Sequence, residues 1–253
     1  MKNTVLMTTL VVALLFLLAW EFVPPALGVP RYIIPTASQC LEELIRNIRL
    51  DNLGGHLLST FVMTLIGFAV GSFLGAVIGY LLGMSIFWER VLSPYILALQ
   101  IAPKVAFAPL FIMWFGFTFW PKLLVTILIV FFPILVNVLQ AMKTVDRDII
   151  NLARAYNLTR WQIFRKIEFP STLPSLLAGL RIGSTLAVIG VTVGELVGGN
   201  TGLGFLISYG EGQANAAMVF NAILLLTLIG IVLYTAVTWV EKRLLHYIPK
   251  AEH

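Results

Sequence analysis

Charge is what this chain has least of. Asp, Glu, Lys and Arg together make up 11% of its 253 residues, while 59% are hydrophobic; a soluble domain carries about twice that charge. There is one cysteine, Cys40, so no intrachain disulfide forms and cysteine says nothing of redox compartment. Its flank, Ala37-Ser38-Gln39, does not suggest lipid modification, and it is read as an incidental thiol. The three histidines, His56, His246 and His253, are scattered, with no H-E-x-x-H or other metal spacing. No Ser/His/Asp arrangement can be read, and no G-x-x-x-x-G-K-[ST] phosphate loop is present. These absences argue against catalysis and against nucleotide handling by this chain. The net charge of +5 does not suggest nucleic acid, because basic residues in so apolar a chain report topology.

What is there is a series of long apolar runs. Residues 3–20, 57–88, 123–142 and 212–240 contain no charge, and roughly 20 apolar residues cross the hydrocarbon core as a helix. The fold class is therefore an all-α polytopic membrane protein of about six transmembrane helices. The first run lacks a clean small-x-small cleavage site (Ala26 and Gly28 come nearest), so it is read as an uncleaved span rather than a signal peptide, ended by Pro24, Pro25 and Pro30. Residues 28–55 are charged and lie outside the bilayer. Within them residues 38–48 have helical spacing, with Leu41, Leu44, Ile45 and Ile48 on one side of a surface helix.

The second span, 57–83, carries Gly67, Gly71, Gly75, Gly79 and Gly83. This register of four predicts a helix-packing face, either within the chain or with a second copy. In 91–116, Pro94, Pro103 and Pro109 interrupt an apolar segment that also holds Gln100 and Lys104. Broken backbone at membrane depth is tolerated where protein or a water-filled cavity covers it. Lys104 thus either faces a pathway, or snorkels to an interface or sits in a re-entrant turn. An aromatic turn at 117–121 leads to a span at 122–141. The fifth span is 175–198, with Glu195 near its far end; a glycine-rich loop at 199–213 precedes the last span, 214–240. Glu195 is open to two readings, a proton acceptor or an acceptor for backbone and hydroxyl donors near the outer mouth.

Six spans put both termini on one side. That side collects twelve basic residues against four (Arg31, Arg46, Arg49 and Lys122) on the other, with Lys104 unassigned. The positive-inside rule makes the richer side cytoplasmic, both termini included.

Half of that charge lies in residues 143–174, which hold Lys143, Arg147, Arg154, Arg160, Arg165 and Lys166. Asp146 suits a helix N-cap and Asp148 the positive helix end. The following helix predicts Ile149, Leu152, Ala153 and Tyr156 on one face, with Arg147, Asn151 and Arg154 toward the other. Asn157 stands where it should stop, since asparagine tolerates the left-handed turn. Thr159 and Gln162 match a capping box, and the second helix is predicted to end at Pro170. The first helix is too short to hold itself in water, so its apolar face needs a partner.

Asn151-Leu152-Ala153, three residues, Asn157, nine residues and Ile167-Glu168-Phe169-Pro170 resemble the EAA loop of bacterial ABC importer permeases, "EAA, three residues, G, nine residues, I-x-L-P". The spacing is intact. Ala153, Ile167 and Pro170 match, while Asn151, Leu152, Asn157 and Phe169 depart from Glu, Ala, Gly and Leu. Ile33-Ile34-Pro35-Thr36 is similar to the family's early "LPSP". Pro103-Lys104-Val105-Ala106, Pro109-Leu110-Phe111 and Trp114-Phe115-Gly116 are similar to "PKxAxxPLFxxWFG", and Gly194-Glu195 with Gly202-Leu203-Gly204 to "xE…GLGxLI". Together these resemble the nitrate/sulfonate/taurine-type branch.

The resemblance implies a single permease domain, 1–253, with the coupling loop 143–174 inside it, in the bacterial inner membrane. It implies two permease subunits forming the pathway, a cytoplasmic ATPase into whose cleft the loop docks, and an extracytoplasmic solute-binding protein. ATP and Mg would sit on the ATPase, and this chain would bind no cofactor. The coupling residues would be Ile149, Asn151, Leu152, Ala153, Arg154, Tyr156, Asn157, Ile167 and Pro170. The candidate pathway would hold Gln100, Lys104, Phe107, Phe111, Trp114 and Glu195. Transport would be alternating access, with helices rocking on their glycine faces. The branch handles small oxyanions and sulfonates, and relatives import vitamins and pyrimidine precursors. The alternative, a carrier or channel driven by an ion gradient, predicts inverted repeats and buried acids; no repeat is evident, and Glu195 is the only acid well inside a span after Glu21.

Overall fold

The computed structural model describes residues 2–246; Lys250 and His253, and the side chain of Lys2, lie outside what it describes. Eleven α-helices are present among the described residues, with one 3-10 turn and one π turn. Helix α1 (Lys2–Ala26) runs through Pro24 and Pro25, contrary to the expectation that they end it. Each proline removes one donor, but both lie in the last turn, where only a carbonyl or two is left over. The stop is Gly28, at φ +68°, where Gly28 N–H reaches Pro25 O and Val29 N–H reaches Pro24 O. This paired closure is the Schellman end for which glycine is favoured.

Helix α2 (Ala37–Leu50) is capped by Thr36 with a complete capping box. Its buried side is Cys40, Glu43 and Asn47, whereas Leu41, Ile45 and Ile48 are exposed. Burial and nearby acids, chiefly the burial, push the Cys40 thiol up, which leaves it inert. Trp20 Nε1 donates to Pro35 O and Glu21 accepts from Ser38, tying α1 to the start of α2.

Helices α3 (Leu53–Gly83), α6 (Phe119–Lys143) and α9 (Phe169–Gly198) form the core. The glycine register of α3 packs within the chain, against α6. A Cβ at Gly75 would come within 2.6 Å of Phe131 O, and one at Gly79 within 3.0 Å of Leu135 O. In lipid, close backbone approach and not hydrophobic burial drives such association. Val130, Ile134 and Val138 of α6 are fully enclosed between α3 and α9.

The same contacts fix topology. Gly67 meets Thr126 and Gly83 meets Met142, so α3 and α6 run parallel; Gly179 meets Asn137 and Gly194 meets Lys122, so α9 runs back. Between α3 and α6 the chain must therefore return across the whole bundle. It does so through α4 (Ile86–Ile101), the 3-10 turn Lys104–Phe107 and α5 (Ala108–Phe115), bent by 81°. That pair is one broken span, which with the five long apolar helices makes six crossings. Of its three prolines only Pro103 sits at the break. Pro94 lies inside α4 and Pro109 in the first turn of α5, where its missing N–H has no intrahelical partner to lose.

Residues 199–213, expected as a loop, contain a ten-residue helix, α10 (Leu203–Gly212). Helix α11 (Ala216–Leu244) begins beside α2, where Asn221 Nδ2 donates to Cys40 O, and Arg181 of α9 pairs with Glu241 near its far end. Helix α11 therefore runs antiparallel to α9.

Candidate functional site

The charged segment folds as two short helices with a defined bend. Asp146 Oδ1 accepts from Asp148 N–H, 2.8 Å, and opens α7 (Arg147–Ala155). Asn157, at φ 56°, closes it: Asn157 N–H reaches Arg154 O and Leu158 N–H reaches Ala153 O. This is the glycine-type helix end carried by an asparagine, whose short polar side chain tolerates left-handed backbone. Thr159 and Gln162 form the capping box of α8 (Arg160–Ile163).

Pro170 does not end the second helix. The backbone widens into a π turn, Phe164–Glu168, in which Phe169 N–H reaches Phe164 O, and continues as α9. Pro170 falls at the first turn of α9, and the widened turn takes up the ring that a regular helix would force against the preceding carbonyls. Residues 160–198 are therefore one continuous helical rod from the loop to the opposite face.

The four residues expected on the apolar face divide. Ile149, Leu152 and Tyr156 stand in the open, Leu152 58% exposed, whereas Ala153 is 7% exposed and seals the helix to its base. Asn151 and Arg154 are exposed, and Ile167 is half-buried beneath them. Arg160 fastens the base. Its guanidinium donates to Glu168 Oε1 (3.0 Å) and to Met84 O (2.8 Å), joining the loop to the end of α3. Lys143 pairs with Glu89 at 2.6 Å across the α4–α6 contact.

In the broken span, Lys104 is committed. Its ammonium donates to the carbonyls of Gln100 and Ala102 at the end of α4 and lies 5.2 Å from the Phe132 ring centroid. A cation there complements the negative helix end. Phe107, Phe111 and Trp114 follow as a ladder of rings, with centroids 6.2 and 5.9 Å apart; Phe111 is buried and Trp114 exposed.

Glu195 is not in open space. It is 1% exposed, and both its oxygens lie within 3.0 Å of Thr60 Oγ1. Gly204 N–H donates to Oε2 at 2.9 Å, and Lys122 Nζ stands 4.0 Å from Oε1. Thr60 in turn accepts from Leu203 N–H, 2.8 Å, and His56 Nδ1 accepts from Gly202 N–H, 3.0 Å. The carboxylate therefore caps α10 and joins it to α3, α6 and α9. Gly202 holds φ +112°, and any Cβ there would overlap the carboxyl. Thr60, His56 and Lys122 were not singled out from sequence. Lys122 was counted as an outer-side charge, but a lysine beginning an apolar run carries the signal of an intramembrane cation. Nothing in the sequence marks Thr60.

Comparison with known proteins agrees with this architecture. Over 236 residues the chain is 37% identical to the formylaminopyrimidine transport permease protein ThiX of Halalkalibacterium halodurans, covering 92% of each. It is 35% identical to the riboflavin transport system permease protein RibX of Chloroflexus aurantiacus, over 94% of this chain and 88% of that one. It is 30% identical to the putative aliphatic sulfonates transport permease protein SsuC of Bacillus subtilis, over 90% and 83%. A solved structure of the MetNI methionine ABC transporter, inward facing, shares the fold: TM-score 0.66, 22% identity, 77% of this chain and 97% of that one. Residues 71–246 match the family described as binding-protein-dependent transport system inner membrane component. On the fold, the intact loop spacing and these matches, the chain belongs to that family of ABC transporter permeases: it is a multi-pass membrane protein and a transport component rather than an enzyme.

Proposed function

We propose that this chain, 1–253 as one permease domain, pairs with a second permease subunit, a copy of itself, to form the pathway of an ATP-driven importer working by alternating access. Residues 143–174 lie in the cytoplasm, with both termini, and α7 couples the pathway to a separate ATPase that holds ATP and Mg. A solute-binding protein delivers substrate to the opposite face.

One observation carries the reading: Ile149, Leu152 and Tyr156 form an unpartnered apolar edge on a helix whose ends are fixed by Asp146 and Asn157. A displacement of that edge reaches the far face through the continuous rod that begins at Arg160. Differential affinity of the ATPase for the two permease states would supply the shift.

The test is Leu152→Asp. The side chain is exposed, so the variant folds and inserts, and the ATPase no longer co-purifies with it. Undiminished complex formation by the inserted variant would remove the docking role of α7.

For the substrate, a vitamin or pyrimidine precursor is favoured over a small oxyanion. Lys104 already serves the end of α4, which leaves aromatic rings and, among the described residues from the break at Pro103 to Phe115, no free cation. The permeases named for formylaminopyrimidine and riboflavin are also more similar to this chain than those named for sulfonate or nitrate. A thermal-shift screen of the cognate binding protein tests this: stabilisation by heterocycles supports it, and stabilisation by sulfonates or nitrate alone overturns it.

A further inference from the structure

Behind α7 lies a cavity of about 350 Å³, which shares Asn151 and Arg154 with the coupling loop and lies away from its exposed apolar edge of Ile149, Leu152 and Tyr156. Its walls are the end of α3, the start of α4, the end of α6 and the inner side of the loop. Lys143, Arg147, Arg154 and Arg160 line it, with Glu89 and Glu168. Lys143 and Arg160 are taken up by those two acids. Among the described residues, Arg147 and Arg154 make no ion pair and no side-chain hydrogen bond. Glu168, which also lines the cavity, is 3% exposed, and while its Oε1 accepts from Arg160, its Oε2 has no hydrogen-bond partner among the described residues.

The cavity is thus lined by two free guanidinium groups and by one buried acceptor with nothing to accept. A simple anion would satisfy the arginines and repel the carboxylate. A simple cation would do the reverse. The arrangement fits a phosphate that carries its own hydrogen-bond donor a few bonds away. Guanidinium groups match phosphate oxygens in geometry and charge, and an O–H or N–H on the same ligand would satisfy Glu168 Oε2, whose unpaired burial is unfavourable.

Location favours a lipid as the source. The cavity opens where α4 begins, at Ile86, and exposed Ile86, Phe87 and Trp88 mark that turn as lying at the membrane boundary. Basic pockets between spans on that side recognise lipid headgroups. We propose that this cavity binds the headgroup of a membrane phospholipid, with its phosphate on Arg147 and Arg154 and a headgroup hydroxyl or ammonium on Glu168. The bound lipid would brace the inner side of α7 and leave its outer apolar edge free. The inference needs the chain to be in a membrane but does not depend on ATPase docking.

The test uses the full-length permease purified in detergent, with bound lipid followed by native mass spectrometry. Phosphatidylglycerol, which carries headgroup hydroxyls, is retained in preference to phosphatidylcholine, whose headgroup has no donor. The double variant Arg147→Gln, Arg154→Gln, altered only at exposed positions, retains it about tenfold or more weakly, the scale of losing two surface phosphate contacts. Glu168→Gln narrows the preference between the two lipids. Equal retention by the wild type and the double variant overturns the proposal. So does an arginine-dependent thermal shift with inorganic phosphate in the absence of any such shift with phosphatidylglycerol, which would assign the cavity to a soluble anion. Release of the lipid when the co-expressed ATPase assembles would also overturn it and give the cavity to an acidic segment of that partner.

Discussion

Thr60 and Glu195, 135 residues apart, meet through one hydroxyl that donates to the carboxylate and accepts the Leu203 amide. Helix α3 is thereby joined to the end of α9 and the start of α10 by a single oxygen that both donates and accepts. Thr60→Val keeps the shape and removes both bonds, leaving a buried carboxylate short of a donor and a buried amide without an acceptor. The loss is about 1–3 kcal/mol, read as a lowered unfolding midpoint of the detergent-purified permease. Thr60→Ser stays close to wild type. A Val variant as stable as the Ser variant would remove the bridging role.

The α3–α6 seam makes a second prediction. Gly75 has Phe131 O 2.6 Å from where its Cβ would stand, whereas nothing lies within 4 Å of a Cβ at Gly54. Gly75→Val must push two backbones apart at a closely packed contact of the core, and overpacking of this kind destabilises by about 1–3 kcal/mol or more. Gly54→Ala, near the free start of α3, leaves the midpoint unchanged or slightly raised. Thermal unfolding of the two variants side by side checks the contrast.

What could be read from sequence follows how local each device is. Asp146, Asn157, Thr159 and Gln162 were legible because a cap and its partner lie within a few residues. The bend of the loop and its exposed Ile149, Leu152 and Tyr156 came with them. Ala153 lies on the seam between that edge and the base, and periodicity alone does not say which side of the seam is covered. Pro170 misled because a π turn is a property of the whole backbone path, and proline states only which hydrogen bond is missing. Helix α10 was hidden for a different reason. Its start is capped by Glu195, which precedes it in sequence but reaches it only after the chain has turned back at Gly202. The glycine register of α3 named a contact face but not the partner, since α6 enters only with the parallel arrangement. A charge tally puts Lys122 on the outer side but does not show that it is buried beside Glu195, which is visible only in three dimensions.

Asn157 carries the third prediction. Its φ of 56° is a conformation that costs a β-branched residue about 1–2 kcal/mol or more. Asn157→Gly preserves the end of α7 and substrate-stimulated ATP hydrolysis in the assembled transporter. Asn157→Val shifts the turn that aims the exposed edge and impairs coupling, with insertion of the permease unaffected because the residue is exposed. Equal uptake by both variants would show that the turn does not set the coupling geometry.

Glu195 and Lys122 supply the last. The two side chains are buried together, 4.0 Å apart, and among the described residues Lys122 has Thr201 Oγ1, at 3.4 Å, as its one further partner. Removing one member of a buried pair strands the other charge, a loss of about 3–5 kcal/mol, while removing both is far milder. Glu195→Ala therefore lowers the yield and unfolding midpoint of the permease severely, because it also uncaps α10 and empties the space facing Gly202. Adding Lys122→Met recovers the part owed to the stranded ammonium and not the part owed to the lost cap. A double-mutant cycle on the unfolding midpoints separates the two: a coupling near zero would mean that Lys122 is neutralised by its surroundings rather than by Glu195, and that the carboxylate serves α10 alone.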